Sequence, residues 1–190
     1  MSYQTYTTEA LVCGTWSKNT SDKSYLLFTK DAGMLYADAR SVREEKSKQR
    51  FALQEFSHIK VSLVKGKSGW RIGSVEALGN HYTNAHDKLA RGSVVGVYRW
   101  LRRFLKGEEA MPELYDYVFE ALSVLSSDVR ERNDLDAVVK LRILTELGYV
   151  DRKRVPELVL QSPQSNIDGL TSHQKAVDTL LSHAVNSSQL

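Results

Sequence analysis

A run rich in positive charge lies at positions 40–50. Five of these eleven residues are Lys or Arg and two are Glu. Over residues 40–71 nine Lys or Arg stand against three Glu, a net charge of +6 in a chain whose total is +3. Such a concentration favours a polyanionic partner, because cations that neutralise phosphates release bound counterions. A solvated loop is the alternative, since like charges commonly serve solubility.

Two sets of cations could gather near one groove if these strands close into a barrel. The first set follows the predicted strand at 33–39, and the second comes from the strands predicted at 57–65 and 70–78 and from the turn between them. Cations gathered in this way would neutralise phosphates, and affinity for a polyanion would then fall steeply with salt. Tyr36 and Trp70 are the candidates for stacking on bases. Phe51 and Phe56 are at least as well explained as residues of the hydrophobic core. The candidate phosphate-binding set is Arg40, Arg43, Lys46, Lys48, Arg50, Lys65, Lys67 and Arg71, with Tyr36 for stacking.

The sequence offers no catalytic constellation. Gly66-Lys67-Ser68 resembles the tail of a phosphate-binding loop, but the glycine needed five positions earlier is Val61. The five histidines lack the helical spacing of a zinc protease and are expected at the surface or its boundary. The adjacent pairs Glu44-Glu45 and Glu108-Glu109 are expected to be solvated. We therefore expect a protein that is not an enzyme and has no cofactor or metal site.

The first 79 residues carry the patterns of β-strands. Ile59, Val61 and Leu63 alternate with polar residues, and Gly66-Lys67-Ser68-Gly69 predicts a hairpin turn. Five short strands with a long basic connection between the third and fourth predict an OB-fold barrel, closed or nearly closed. The predicted strands span residues 9–16, 23–29, 33–39, 57–65 and 70–78.

From about residue 80 onward the apolar period becomes that of helices. One helix has apolar residues from Val94 to Leu105 on one side and basic residues on the opposite side at i, i+3, i+4 and i+7. Pro112 predicts the start of the next helix and Gly148 the end of a third at 134–147. The basic face consists of Arg99, Arg102, Arg103 and Lys106.

The whole pattern predicts an α+β protein, with an OB-fold domain at 1–79 and an all-α domain at 80–190. Thr171 and Gln174 offer a capping box to a last helix. The single cysteine, Cys13, excludes an internal disulfide and is expected to be buried and inert. No apolar window reaches the roughly 18 residues of a membrane span, so we expect an intracellular protein.

An ordered set of motifs resembles the RecO family of recombination mediators. The family pattern, approximately A-K-G-A-R-R-x-K-S-R and then L-Q-P-F-S, is similar to residues 39–48 (ARSVREEKSK) and 53–57 (LQEFS). Residues 140–149 (KLRILTELGY) are similar to the family's leucine-rich helix ending in Leu-Gly-Tyr. The resemblance spans about residues 8–150, and its smaller pieces are Asp22, Phe28-Thr29, Gly33, Lys65-Gly66 and Glu76-Ala77-Leu78.

The sequence departs from the family pattern in three places. Ser41 replaces the usual glycine, and Glu44 and Glu45 stand where a basic residue and often proline occur, which dilutes the positive patch. Many relatives carry a four-cysteine zinc site after Leu-Gly-Tyr, but residues 151–170 contain no cysteine. The resemblance therefore implies a short member without that zinc site and with weaker affinity for DNA.

The resemblance implies a DNA repair protein of the bacterial cytoplasm, associated with the nucleoid. It would act after DNA damage by binding single-stranded and double-stranded DNA, annealing complementary strands and loading RecA with RecR and the single-stranded DNA-binding protein. The cations at 40–50 would contact phosphates without reading bases. The basic face at 99–106 is the candidate site for the acidic tail of the single-stranded DNA-binding protein, with a solvated helix face as the alternative.

A protein-interaction adaptor, whose OB-like barrel docks a partner and touches no nucleic acid, is the competing hypothesis. The pair Glu44-Glu45 and the near-neutral total charge leave room for it.

Overall fold

A computed structural model describes residues 5–164 and 170–187 of the chain. The chain forms two compact units. The barrel unit comprises Met1–Asn84 and Lys106–Tyr115, and the helical unit comprises Ala85–Leu105 and Asp116–Leu190. The predicted α+β class is confirmed, with strands first and helices after them.

The barrel unit is a closed five-stranded barrel with the strand order β1-β2-β3-β5-β4. β3 and β5 pair in parallel and the other neighbours are antiparallel. This arrangement confirms the predicted OB-type barrel. The strands are β1 (Thr5–Ser17), β2 (Lys23–Thr29), β3 (Gly33–Ala39), β4 (Ser57–Gly66) and β5 (Gly69–Asn80).

Side chains that alternate along the strands fill the barrel. Ile59, Val61 and Leu63 of β4 are fully buried, as their spacing predicts. Tyr25 and Leu27 of β2 join the same cluster, and burial raises the pKa of the Tyr25 phenol to about 12. Cys13 is buried, as expected. Closure leaves the barrel without a long exposed edge, so binding surfaces come from its outer face and its connections.

Segment 106–111 packs on the barrel beside the start of β3. The Met34 amide donates to the Gly107 carbonyl at 3.0 Å, and Glu108 pairs with Lys65 of β4 at 3.1 Å. The indole of Trp70 and the Lys65 ammonium together hold the pKa of Glu108 below its usual range. Glu108 is exposed, as expected for a solvated carboxylate, and it also pairs with a cation far away in the chain.

The helical unit contains most of the helical residues. Asp87 caps α2, its carboxylate accepting from the Ala90 amide at 2.7 Å. α3 begins at Pro112, and Gly148 after α4 has φ +77°, as both sequence signals predict. In the described residues no helix is long and apolar enough to cross a membrane. The helices are α1 (Gln49–Ala52, in the barrel unit), α2 (Lys88–Phe104), α3 (Pro112–Ser126), α4 (Arg132–Glu146) and α5 (Leu170–Ser187).

One helix end differs from the sequence prediction, and one predicted helix cap lies outside the described residues. α2 ends at Phe104 and Leu105 is extended, so Lys106 lies beyond the helix on which its spacing placed it. The predicted capping box of the last helix depends on the Thr171 side chain, which lies outside the described residues.

Arg132 is a buried cation that joins the end of α3 to the start of α4. Its guanidinium donates to the Leu125 carbonyl and, at 2.6 Å, to the Ser127 carbonyl. These carbonyls lie at a helix C-terminus, where the backbone offers no intrahelical donor. The cation therefore donates to carbonyl oxygens for which the helix itself supplies no donor.

His81 departs from the expectation that the histidines are surface or boundary residues. It follows β5 and is buried, its amide donating to the Phe56 carbonyl at 3.0 Å. Burial, with a contribution from the neighbouring His58, lowers the pKa of His81 to about 4. The folded protein therefore holds this imidazole neutral at pH values where an unfolded chain would protonate it.

Stability should fall as pH drops from about 6.5 toward 4 because of His81. In this window the unfolded state binds the extra proton, so acid favours unfolding. Between pH 7 and pH 5 the expected loss is about 2 kcal/mol. Urea unfolding at both pH values, followed by intrinsic fluorescence, measures it. His81→Gln should remove this part of the slope, and an unchanged slope in that variant would contradict the assignment.

Candidate nucleic-acid interface

The basic connection, residues 40–56 between β3 and β4, is a structured loop. The Ser41 amide donates to the Asp22 carboxylate at 2.8 Å, and the Arg43 amide donates to the Ser21 carbonyl at 3.0 Å. Hydrogen bonds from Ser41 and then Asn19 hold the pKa of Asp22 below its usual range. The connection is thus tied at its start to the turn between β1 and β2.

Ser41 adopts a conformation that favours glycine. Its φ is +51°, in the left-handed region where a Cβ is strained. The bond to Asp22 fixes this residue where the chain leaves β3. The glycine usual in the family pattern therefore has a conformational explanation, and the serine here carries some backbone strain.

Five exposed cations stand on the basic connection. The Arg43 guanidinium donates to the Asn19 carbonyl at 2.9 Å, and that of Arg50 lies 4.7 Å from the centre of the Phe51 ring. Glu44 and Glu45 are exposed among them, so the net charge of residues 40–50 is +3. The five cations are Arg40, Arg43, Lys46, Lys48 and Arg50.

The cations of β4 and β5 have different surroundings. Lys65 pairs with Glu108 and lies 4.8 Å from the centre of the Trp70 ring. Arg71 is half-buried and lies beside Asp38 of β3 in the parallel register. Lys67 is exposed in the hairpin turn. Lys65 is thus paired with a carboxylate of segment 106–111 within the barrel unit.

A groove of about 490 Å³ opens beside the basic connection. Arg43 and Arg50 line it together with Lys23 at the start of β2. Lys65, Lys67 and Arg71 are not among its walls. The structure therefore brings two of the predicted residues together with a third cation that sequence spacing did not reveal, because Lys23 precedes the basic run by seventeen positions.

Two exposed aromatic rings form a pair on the outer face of β1 and β3. Tyr36 is 61% exposed and Trp16 is 46% exposed, with ring centres 5.8 Å apart. The Trp16 ring lies over Gly14, where an added Cβ would come within 2.6 Å of the ring. Flat exposed rings on an OB barrel can stack nucleic-acid bases. Sequence reasoning missed Trp16, although a glycine two positions before it on a strand leaves room for its ring.

Trp70 is more buried, and Phe51 more exposed, than the sequence analysis predicts. Trp70, offered as a stacking residue, is only 7% exposed and belongs to the barrel core, with Tyr6 packed edge-on at 5.5 Å. Phe51, treated as equally well explained by the core, is 65% exposed. Phe56 is half-buried and stacks on Tyr82 at 5.3 Å.

The candidate partner-binding residues fall in both units. Arg99, Arg102 and Arg103 lie on α2 of the helical unit, where Arg99 and Arg103 are exposed and Arg102 is half-buried. The Arg103 guanidinium lies 5.0 Å from the centre of the Phe104 ring. Lys106 is exposed but belongs to the barrel unit. Three of the four cations therefore share one helix, as predicted.

This chain is similar to bacterial proteins named DNA repair protein RecO. It is 27% identical over 150 residues to the DNA repair protein RecO of Desulfitobacterium hafniense, in strain DSM 10664 / DCB-2 and in strain Y51. It is 27% identical over 158 residues to the DNA repair protein RecO of Heliobacterium modesticaldum strain ATCC 51547 / Ice1. The chain is thus similar to RecO proteins over most of its length. No family model matches it.

The RecO matches cover much of this chain and about half of each relative. They include 77% of the chain against the Desulfitobacterium RecO proteins and 82% against the Heliobacterium RecO. They span 53% and 54% of those relatives. The chain thus spans about half the length of the curated RecO relatives it matches.

The motifs that resemble RecO proteins include residues with structural roles in the barrel. Asp22 holds the start of the basic connection, and Gly33 lies against the backbone of Glu109. Leu53 and Ser57 of the second motif are buried, whereas the cations of the first motif are exposed. The residues shared with the RecO pattern therefore include those that shape the basic connection as well as its exposed charges.

Proposed function

We propose that this protein is a non-enzymatic mediator of DNA repair and recombination whose barrel unit binds single-stranded and double-stranded DNA. The observation that carries the proposal is the set of five exposed cations on one structured connection of an OB barrel, in a chain similar to RecO proteins. The names of the relatives, DNA repair protein RecO, support the same process.

The proposed mechanism is electrostatic. Cations at 40–50 neutralise backbone phosphates and release counterions, which holds the strand without reading its sequence. Two strands bound near such a surface repel each other less than two free strands, which favours annealing. Chromosomal DNA as the ligand would place the protein at the bacterial nucleoid.

Partners are the finer part of the proposal. Loading of the recombinase RecA would require RecR and the single-stranded DNA-binding protein. The exposed cations Arg99 and Arg103 of α2, with Arg102 beside them, suit the acidic tail of the latter protein. Lys106 would take part from the segment that follows this helix.

A salt titration tests DNA binding. Fluorescence anisotropy with a labelled oligothymidylate of about 20 nucleotides should show log affinity falling with log salt at a slope of about −3.5, if all five cations contact phosphates. Affinity would then drop about 50-fold between 50 and 150 mM salt. Binding that does not change with salt would contradict the phosphate model.

The adaptor hypothesis gains support from one observation. Lys60 lies opposite Glu9 and Glu76 across the strands, and Lys65 is paired with Glu108, so the β4 cations are partly neutralised by the protein itself. If the full chain fails to bind either single-stranded or duplex DNA at 50 mM salt, the adaptor hypothesis replaces the DNA-binding proposal.

A further inference from the structure

The groove beside the basic connection has the size and mixed lining of a small ligand site. Its volume is about 490 Å³, within the range of pockets that hold one small molecule or one unit of a polymer. The walls come from the ends of β1 and β2 and from the basic connection. Tyr25, Val42 and Leu53 supply apolar surface from side chains that are otherwise buried.

Three cations line this groove from three separate positions in the chain, and one carboxylate, that of Glu55, is also among its walls. Lys23 begins β2, Arg43 lies in the first half of the connection and Arg50 lies on α1. Arg43 is held by its side-chain bond to the Asn19 carbonyl and its backbone bond to the Ser21 carbonyl. A guanidinium fixed in this way offers its remaining N–H groups to an anion with little loss of entropy.

Phe51 gives the groove a flat apolar wall that the fold itself does not cover. The ring is 65% exposed although Ala52 and Leu53, the next two residues, are buried. The Arg50 guanidinium lies over one face of the ring, 4.7 Å from its centre, in a cation–π arrangement. Proteins bind single-stranded nucleic acid through this combination of an exposed ring and fixed cations, with a base stacked on the ring and a phosphate bound by the cations.

We propose that this groove holds one unpaired nucleotide of single-stranded DNA, its base against Phe51 and its phosphate among Lys23, Arg43 and Arg50. This inference rests on the proposed function and adds to it a preference for single strands. A base in a duplex is stacked and paired, so its face cannot reach the ring without being unpaired first. The outer cations of the connection contact backbones of either kind.

The ring can be removed without changing the charge. Phe51→Ala should weaken binding of a single-stranded oligomer about tenfold, since stacking of one base is lost, and should leave binding of a closed hairpin duplex unchanged. Phe51→Trp should restore single-strand binding. Leu89→Ala removes another exposed apolar side chain, from the helical unit, and should change neither affinity. Thermal melts of all variants check that folding is preserved.

A fluorescent base reports stacking directly. An oligothymidylate carrying one 2-aminopurine should be quenched when it binds the wild-type protein and quenched less by Phe51→Ala at saturating protein. Equal quenching by both proteins, or equal losses of single-strand and duplex affinity, would overturn the inference while DNA binding stands. Failure of the wild type to bind either oligomer would instead refute the proposed function.

An acidic peptide is the other ligand that cations and an aromatic wall could take. Competition with a peptide rich in Asp and Phe distinguishes the two. If the peptide binds with Phe51-dependent affinity and the single-stranded oligomer binds without it, the groove is a peptide site and the nucleotide assignment is wrong.

Discussion

Reversing Arg40, Lys46 and Lys48 to Glu is expected to weaken binding of single-stranded DNA more than about 100-fold at 0.1 M salt. Each phosphate contact to a single strand is worth about a factor of five at this salt concentration, so three lost contacts account for roughly two orders of magnitude. Repulsion by three new carboxylates adds to that loss. These side chains are exposed, so fluorescence anisotropy should register lost binding rather than lost folding.

The matched control carries the same change in net charge elsewhere. Arg152, Lys153 and Arg154 are three exposed cations on a short 3₁₀ turn of the helical unit. Reversing them also takes the formal charge from +3 to −3, and the 3.5 Å pair from Arg152 to Glu146 is too exposed to add much stability. If both triple variants lose affinity equally, total charge governs binding and the connection is not the interface.

The strands were predictable because one face of each contacts a single barrel core. The alternation of Ile59, Val61 and Leu63 with polar residues follows from the two-residue period of a strand with one buried face. This pattern is visible in the sequence. Strand ends were less accurate: β1 begins at Thr5 and β5 runs to Asn80, because pairing with neighbours extends strands into polar residues. α1 was missed, since four residues do not show a helical period.

The charges of the candidate site were predictable and their surroundings were not. The exposed run at 40–50 follows from local composition. Lys65 looked equivalent to those cations until the fold brought Glu108 to it from 43 positions away. Trp70 and Phe51 changed roles for the same reason, since barrel closure decides which aromatic ring faces inward. Lys23 joins the groove only through the packing of β2 against the connection.

Gly33 is where two constraints on the backbone coincide. Its φ is +68°, in the region that disfavours side chains. An added Cβ would overlap the Glu109 carbonyl oxygen and lie 2.8 Å from the Glu109 amide nitrogen. Both atoms are backbone, so neither can turn aside as a flexible side chain could. Segment 106–111 therefore approaches β3 closely only because this residue is glycine.

Gly33→Ala should lower the free energy of unfolding by about 3 kcal/mol, the sum of left-handed strain and displacement of packed backbone. Gly148→Ala is the matched control, because Gly148 has φ +77°, close to that of Gly33, with no atom within 4 Å of an added Cβ. It shares the strain without the collision, so its cost should be closer to 1 kcal/mol. Guanidinium unfolding measures both. Faster amide exchange at Met34, whose N–H donates to Gly107, should accompany only the Gly33 variant. Equal losses of unfolding free energy in the two variants would mean that segment 106–111 moves aside at little cost, which would contradict the predicted collision.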